Sequence, residues 1–242
     1  MAPRGSLQRF AGFLCRPARS VACRDVDCGT DLPTASTREV ESVTPSVIVS
    51  YWLRESIEGP EQATAQRERW YQGGPEADAE IAARFTVRLK QALDGTLDGW
   101  GAGAEGALAL VILLDQFTRT VYRGSDLAFA GDRKASEIAQ AAIDSGIDRT
   151  LPVTGRIFLY HPYHHAESLD VQTRGIELIN RIRGDAGPVW EAYLDRVVEG
   201  WNRHRSIVER FGRFPHRNAV LGRSSTAEEL AYLDGGADRF GQ

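Results

Sequence analysis

Apolar residues recur at three- and four-residue intervals along most of the chain, the period of amphipathic helices. Thr44-Pro45 supplies a cap and a first-turn proline, after which Val47, Ile48, Tyr51 and Trp52 follow at helical spacing. Gly59-Pro60 ends that element. Residues 61–72 read as a polar second helix closing on Trp70-Tyr71, and Gly73-Gly74-Pro75 as a loop. From Asp78 to Asp94, the residues Ile81, Phe85, Leu89 and Ala92 share one side, and Gly95 follows the end. Residues 105–122 form the predicted central helix, because Ala107 to Leu114 is apolar all round, as a buried helix is. Further helices are expected over 126–145, stopped by Gly146; over 152–182, interrupted at Pro162; and over 188–211, closed by Gly212. Ser225-Thr226-Ala227-Glu228 reads as a capping box opening a last short helix. No convincing period-two strand appears. The pattern predicts an all-α fold, about eight or nine helices in antiparallel pairs, with residues 45–242 as a single domain.

Composition narrows the function classes. At 242 residues the chain is long enough for one good core, and two large domains are not expected. A net charge of −4 argues against general nucleic-acid binding. The longest strongly apolar run, Ala107 to Leu114, is far short of the roughly 20 residues a bilayer span needs, so no membrane helix is expected. Residues 1–44 differ from the rest. Arg4, Arg9, Arg16, Arg19 and Arg24 precede any acidic residue, with Phe10, Phe13 and Leu14 among them. That stretch reads either as an organellar transit peptide, which would place the protein in a mitochondrial or plastid matrix, or as a disordered tail or upstream start on a cytoplasmic bacterial protein. Cys15, Cys23 and Cys28 all fall in it, which excludes a disulfide framework in the main domain. No His precedes His161 to complete a zinc site with them, and no metal or cofactor is expected.

The polar residues that interrupt apolar faces are the candidate chemistry. On a regular helix Asp115, Gln116, Arg119 and Arg123 fall in one sector opposite Leu110, Leu114, Phe117 and Val121. They read either as a structural salt bridge or as a site wall presenting guanidinium forks to an anion. His161-Pro162-Tyr163-His164-His165-Ala166-Glu167 lacks the spacing and the regular helix of a zinc-protease motif. A His–carboxylate pair that tunes His165, with Glu167 or Asp115, is the better expectation. His204 sits on the apolar face of the 188–211 helix and must find a partner there, with Asp115 and Glu167 as candidates. Past Gly212, Arg213, His216, Arg217 and Asn218 bring many donors and few acceptors between Phe211, Phe214 and Pro215. Those donors either satisfy helix ends and bridge to acids such as Asp115 or Asp132, or they hold a carboxylate or phosphate.

Read together, Leu113-Leu114-Asp115-Gln116-Phe117-x-Arg119, Tyr122-Arg123-Gly124, Ala128-Phe129-Ala130-x-Asp132, Phe158-Leu159-Tyr160-x-Pro162-x-x-His165-x-Glu167, Gln172, the Phe211 to Asn218 segment, Leu221-Gly222-Arg223-x-Ser225-Thr226 and Phe240-Gly241-Gln242 form an ordered series of motifs. In these the chain resembles the bacterial domain-of-unknown-function family nine-two-four, from about Pro45 to the end. The resemblance implies an all-helical, tetratricopeptide-like array and carries no activity with it. Thr118, Thr120, His161, His164 and Ala166 depart from its usual residues, as do parts of Trp52-Leu53 and Trp70-Tyr71, whereas His165 and Glu167 match. Three functions stay open. The first is a pocket for a small anionic molecule or a peptide carboxylate, built from Asp115, Gln116, Arg119, Arg123, His204, Arg213, Arg217 and Asn218. The second is a hydrolase- or isomerase-type enzyme using His165, Glu167 and His216. The third is a protein-interaction scaffold of tetratricopeptide type. No nucleic-acid or membrane partner is expected.

Overall fold

A computed structural model describes residues 43–236. The Arg-rich N-terminal stretch with its three cysteines and the closing Phe240-Gly241-Gln242 lie outside the described residues. Those described form α-helices and short 3₁₀ turns, with no β-strand among them. In chain order the ten helices are α1 (Pro45–Leu53), α2 (Pro60–Gln72), α3 (Pro75–Asp94), α4 (residues 104–121), α5 (Asp132–Ser145), α6 (Val153–Leu159), α7 (His161–His165), α8 (Leu169–Ala186), α9 (Glu191–Phe211) and α10 (Ala227–Asp234). No helix among the described residues is long and apolar enough to cross a membrane.

Local chemistry explains most of the boundaries. Thr44 caps α1, its hydroxyl accepting from the Val47 amide at 3.4 Å, and Pro45, Pro60 and Pro75 each stand in a first turn, where the missing N–H costs nothing. Gly212 ends α9 in the left-handed conformation (φ 69°) that a side chain disfavours, and its N–H bonds the Val208 carbonyl. Three boundaries differ from the sequence expectation. The 152–182 stretch is interrupted at Pro162 as expected, α6 ending at Leu159 and Pro162 standing in the first turn of the five-residue α7, but a second, unexpected gap follows His165. Residues 126–145 are not continuous either. A 3₁₀ turn, Asp126–Phe129, precedes Gly131, and α5 starts only at Asp132. The capping box is one residue later than expected: Thr226 accepts from the Glu229 amide at 3.2 Å, and Glu229 reaches back to the Thr226 amide at 2.7 Å.

The core forms around α4. Every residue from Ala107 to Leu114 is fully buried, and Phe117 below them meets Trp52 at 5.5 Å and Phe85 at 5.0 Å between ring centres. Burying each Leu, Ile or Phe contributes roughly 1.5–3 kcal/mol, so this helix is the main source of cohesion. Helices α8 and α9 pack as an antiparallel hairpin: Thr173 bonds Arg205, Gly175 abuts Trp201 and Arg183 pairs with Asp195, so numbers rise on one helix as they fall on the other. A small satellite of Ile207, Val208 and Phe214, with Phe211 and Tyr232 against it, ties the chain beyond α9 to that helix.

Candidate functional site

Helix α4 is not regular. Residues Ile112–Phe117 form a π-helical turn, which a helical-wheel reading at 100° per residue cannot anticipate. The turn is held from two sides. Thr118 donates its hydroxyl to the Leu114 carbonyl at 2.7 Å, and the Gly131 backbone comes so close that a Cβ there would sit 2.1 Å from the same oxygen. Gly131 is thus required by close approach, and it delivers the next residue, Asp132, to α4.

Asp115 projects from this turn and is fully buried. It receives the Nδ1–H of His165 at 2.8 and 2.9 Å, the amide of Gln116 at 2.6 Å and Nη2 of Arg119 at 3.3 Å. The same Nη2 donates to Asp132 at 2.9 Å. Arg217 approaches the other oxygen of Asp132 at 3.9 Å and donates to the His165 carbonyl at 3.1 Å. The rings of Phe129 and Phe214 lie 4.9 and 4.4 Å from the Arg217 guanidinium, and Phe129 lies 5.2 Å from that of Arg119. Asp115, Gln116, Arg119, His165 and Arg217 therefore converge from segments about 50 residues apart, with Asp132 and Phe129 joining them.

Charge states follow from burial and neighbours. Burial raises the Asp115 carboxyl, but His165 and Arg119 outweigh it and the acid is held below its ordinary value. Burial pushes His165 down to about 3 against the pull of Asp115, so the imidazole is neutral at pH 7. A neutral ring that gives Nδ1–H to Asp115 leaves Nε2 as the basic nitrogen. Arg217 is pushed down to about 10, first by burial and then by Arg119. Three donors on the two arginines, Nε and Nη1 of Arg119 and Nε of Arg217, are buried without a protein partner.

His161, His164 and His204 cluster beside His165, whose ring lies 5.2 Å from that of His164 and 5.6 Å from that of His161. His164 lies 3.7 Å from His204 and 4.8 Å from Trp201 between ring centres, and His161 stacks on Phe158 at 4.6 Å. His204 does not reach Asp115 or Glu167. Its Nδ1 pairs with the Gly200 carbonyl one turn back, at 3.2 Å, because its ring lies along its own helix. Burial pushes His204 down to about 2 and His216 to about 4. Among the described residues no three His, Cys, Asp or Glu side chains converge to hold a metal ion.

Other expected members stand elsewhere. Glu167 does not orient His165. Its carboxylate takes two bonds from Arg223, at 2.6 and 2.9 Å, and one from the Phe214 amide at 2.9 Å, so it clamps the segment that carries Arg217. Arg213 is spent on Glu229, at 2.6 and 2.8 Å, and on the Ser224 carbonyl at 2.9 Å. Arg123 lies beyond the end of α4, off its polar stripe, and pairs with Asp78 at the surface. Asn218 is buried and donates to Ser225 at 3.0 Å, holding the same segment. Arg223 was visible only as part of a motif, since nothing in its spacing marks it as the partner of Glu167.

A family model described as bacterial protein of unknown function (DUF924) matches residues 48–237. The chain belongs to that family. Every residue of the Asp115–Arg217 network lies within the matched span. The solved structure of a protein of unknown function, ATU0120 from Agrobacterium tumefaciens, is 35% identical with a TM-score of 0.65, the match covering 79% of this chain and 97% of that one. No curated protein matches the chain.

Proposed function

We propose that this DUF924 member binds a small anionic ligand against Arg119 and Arg217. The observation that carries the reading is the set of three buried guanidinium donors left without protein acceptors. A buried donor without a partner costs about 1–3 kcal/mol, and more when charged, so such groups are retained where something else completes them. A carboxylate or phosphate oxygen suits a guanidinium fork, and Phe129 and Phe214 flank the charge with apolar faces. Asp115 and Asp132 already balance the two cations, so the ligand carries little charge, one or two units at most. Two surface depressions, one around Tyr51 and Arg84 and the other around Tyr160 and Arg156, are lined by none of these residues.

Thermal denaturation with inorganic phosphate, sulfate and short mono- and dicarboxylates tests this reading. A ligand at a hundred times its Kd adds about 2.7 kcal/mol, a rise in Tm of several degrees. At least one anion should give such a rise in the native chain and none in an Arg119→Gln/Arg217→Gln double variant. If no anion shifts Tm, or the shift survives the double substitution, the reading is wrong.

The Asp115–His165 pair supports a second reading, proton transfer by His165 Nε2 in a hydrolase- or isomerase-type reaction, with Asp115 fixing the tautomer. Turnover of an activated ester or a ketose, lost in His165→Gln, would favour it, and a native chain inert to both would count against it. The antiparallel α8–α9 hairpin supports the tetratricopeptide-like array expected from the sequence, though fold alone is a weak argument for a scaffold role.

A further inference from the structure

A polar cavity lies away from this site. It is bounded by the end of α5 (Ile143), the 3₁₀ turn Ile147–Thr150 (Asp148, Arg149), the boundary of α6 and α7 (Arg156, Tyr160) and one face of α8 (Leu178, Arg181, Asp185), with a volume of about 230 Å³. Pockets for drug-sized ligands span roughly 300–1,000 Å³, so this one suits a molecule of few heavy atoms.

Its chemistry is specific. Asp148 and Arg156 are both more than nine-tenths buried. The Tyr160 hydroxyl donates to Asp148 Oδ2 and also has Arg156 as a polar neighbour. Arg156 Nη1 pairs with Asp185 at 2.7 Å. That leaves Asp148 Oδ1, a buried acceptor, and Arg156 Nε, a buried donor, each without a protein partner. Arg149 and Arg181 also line the cavity and are exposed, and neither forms an ion pair among the described residues. Ile143 and Leu178 supply its apolar wall.

We infer that this cavity is a binding site for a short 2-hydroxycarboxylate. A hydroxyl is a small group that both donates and accepts through a single atom. It donates to Asp148 Oδ1 and accepts from Arg156 Nε, which an ammonium cannot do and a methyl does neither. The carboxylate meets Arg149 and Arg181, and a short alkyl group lies on Ile143 and Leu178. The five charged residues around the cavity carry one positive charge in excess, which the ligand neutralises. This site shares no residue with the Arg119–Arg217 network, so the two inferences stand or fall separately.

Calorimetric titration of the full chain with each enantiomer of lactate, with propionate and with alanine decides it. Propionate lacks the hydroxyl and alanine replaces it with ammonium. Hydrogen bonds to charged groups contribute about 1.5–3 kcal/mol, so one lactate enantiomer should bind at least about tenfold more tightly than either comparator. An Arg149→Gln/Arg181→Gln variant changes only exposed side chains and should fold normally, yet lose lactate affinity by about tenfold or more. The Arg119→Gln/Arg217→Gln variant should keep it. Equal binding of lactate and propionate, no lactate binding, or lactate binding that survives the Arg149/Arg181 change and vanishes in the Arg119/Arg217 change would each overturn the inference.

Discussion

Two arginine-rich regions meet along the segment after α9, and they are built on opposite terms. In the clamp, Arg213 and Arg223 each face one carboxylate in two-pronged pairs, with Glu229 and Glu167, and each acid also bonds a backbone amide. In the interior, Arg119 and Arg217 share Asp132, border a neutral His165 and leave three buried donors without a protein partner, against one, Nε of Arg223, in the clamp. The same residue types thus do two jobs. Where one arginine meets one carboxylate in a two-pronged pair, it fastens a loop. Where two arginines share one carboxylate, several buried donors are left over, which the proposed anion would complete.

The largest expected effect concerns the interior and is set by pH. All five histidines of the chain are held below the ordinary imidazole value by burial. The unfolded chain binds their protons from about pH 6.5 downward, whereas the folded chain does not until about pH 4 for His216 and about 3 for His165. In that window the unfolded state carries more protons, so stability falls with falling pH, by up to about 1.4 kcal/mol per pH unit for each imidazole. Acting together they should consume a large part of a typical stability of about 5–15 kcal/mol by the time the ordinary carboxylate range, about pH 4, is reached. Circular dichroism from pH 7 downward should show cooperative unfolding by about pH 4. A chain still folded at pH 3.5 would mean that the imidazoles are not buried neutral, and the contrast between interior and clamp would lose its basis.

The clamp is the next test. Glu167→Ala strands the Arg223 guanidinium and the Phe214 amide together, at a cost of roughly 2–4 kcal/mol after allowing for the partial exposure of the pair. Scanning calorimetry should register a fall of about 4–15 °C. Because the released segment carries Arg217, anion affinity should fall with it, although Glu167 touches no ligand.

How far the sequence revealed these two regions depends on how each residue is positioned. The helices were legible because their periodicity and end signals are local: Thr44, Gly95, Gly146 and Gly212 end or begin elements where expected. Asp115, Arg119, His165 and Arg217 were legible as candidates because each interrupts an apolar setting, but which of the candidates come together was not. Nor were the pairings. The π turn rotates Asp115 out of wheel register, and Gly131 sets that geometry through a contact with Leu114 that no local pattern encodes. Glu167 and Arg213 looked like site residues because a donor's partner is fixed by tertiary distance, not by composition. Asp148 and Arg156 gave no signal and Tyr160 appeared only within a motif, since the three stand on a 3₁₀ turn, on α6 and at the junction of α6 and α7.

A smaller effect of opposite sign separates the regions further. Holding Arg217 charged at a site where it is pushed from 12.5 to about 10 corresponds to roughly 3 kcal/mol of unfavourable interaction. Replacing it by methionine, which fills similar space without charge, forfeits the bond to the His165 carbonyl but removes that penalty. Arg217→Met should therefore stabilise the unliganded chain by about 1–2 kcal/mol while abolishing the rise in Tm produced by anions. A destabilised variant would place Arg217 with the clamp arginines.

Arg213→Ala should do the least to binding. Its guanidinium is consumed by Glu229 and the Ser224 carbonyl, and the Thr226 and Glu229 amides keep their capping box without it. The change strands the buried Glu229 carboxylate, so a drop in Tm comparable to that of Glu167→Ala is expected, with the affinity for any stabilising anion unchanged from the native chain. The two arginines are four residues apart on one segment, which makes their pairing, rather than their sequence neighbourhood, the only difference under test. Equal losses of anion affinity in Arg213→Ala and Arg217→Met would show that the segment acts as one electrostatic unit, and the division between fastening and binding arginines would have to be abandoned.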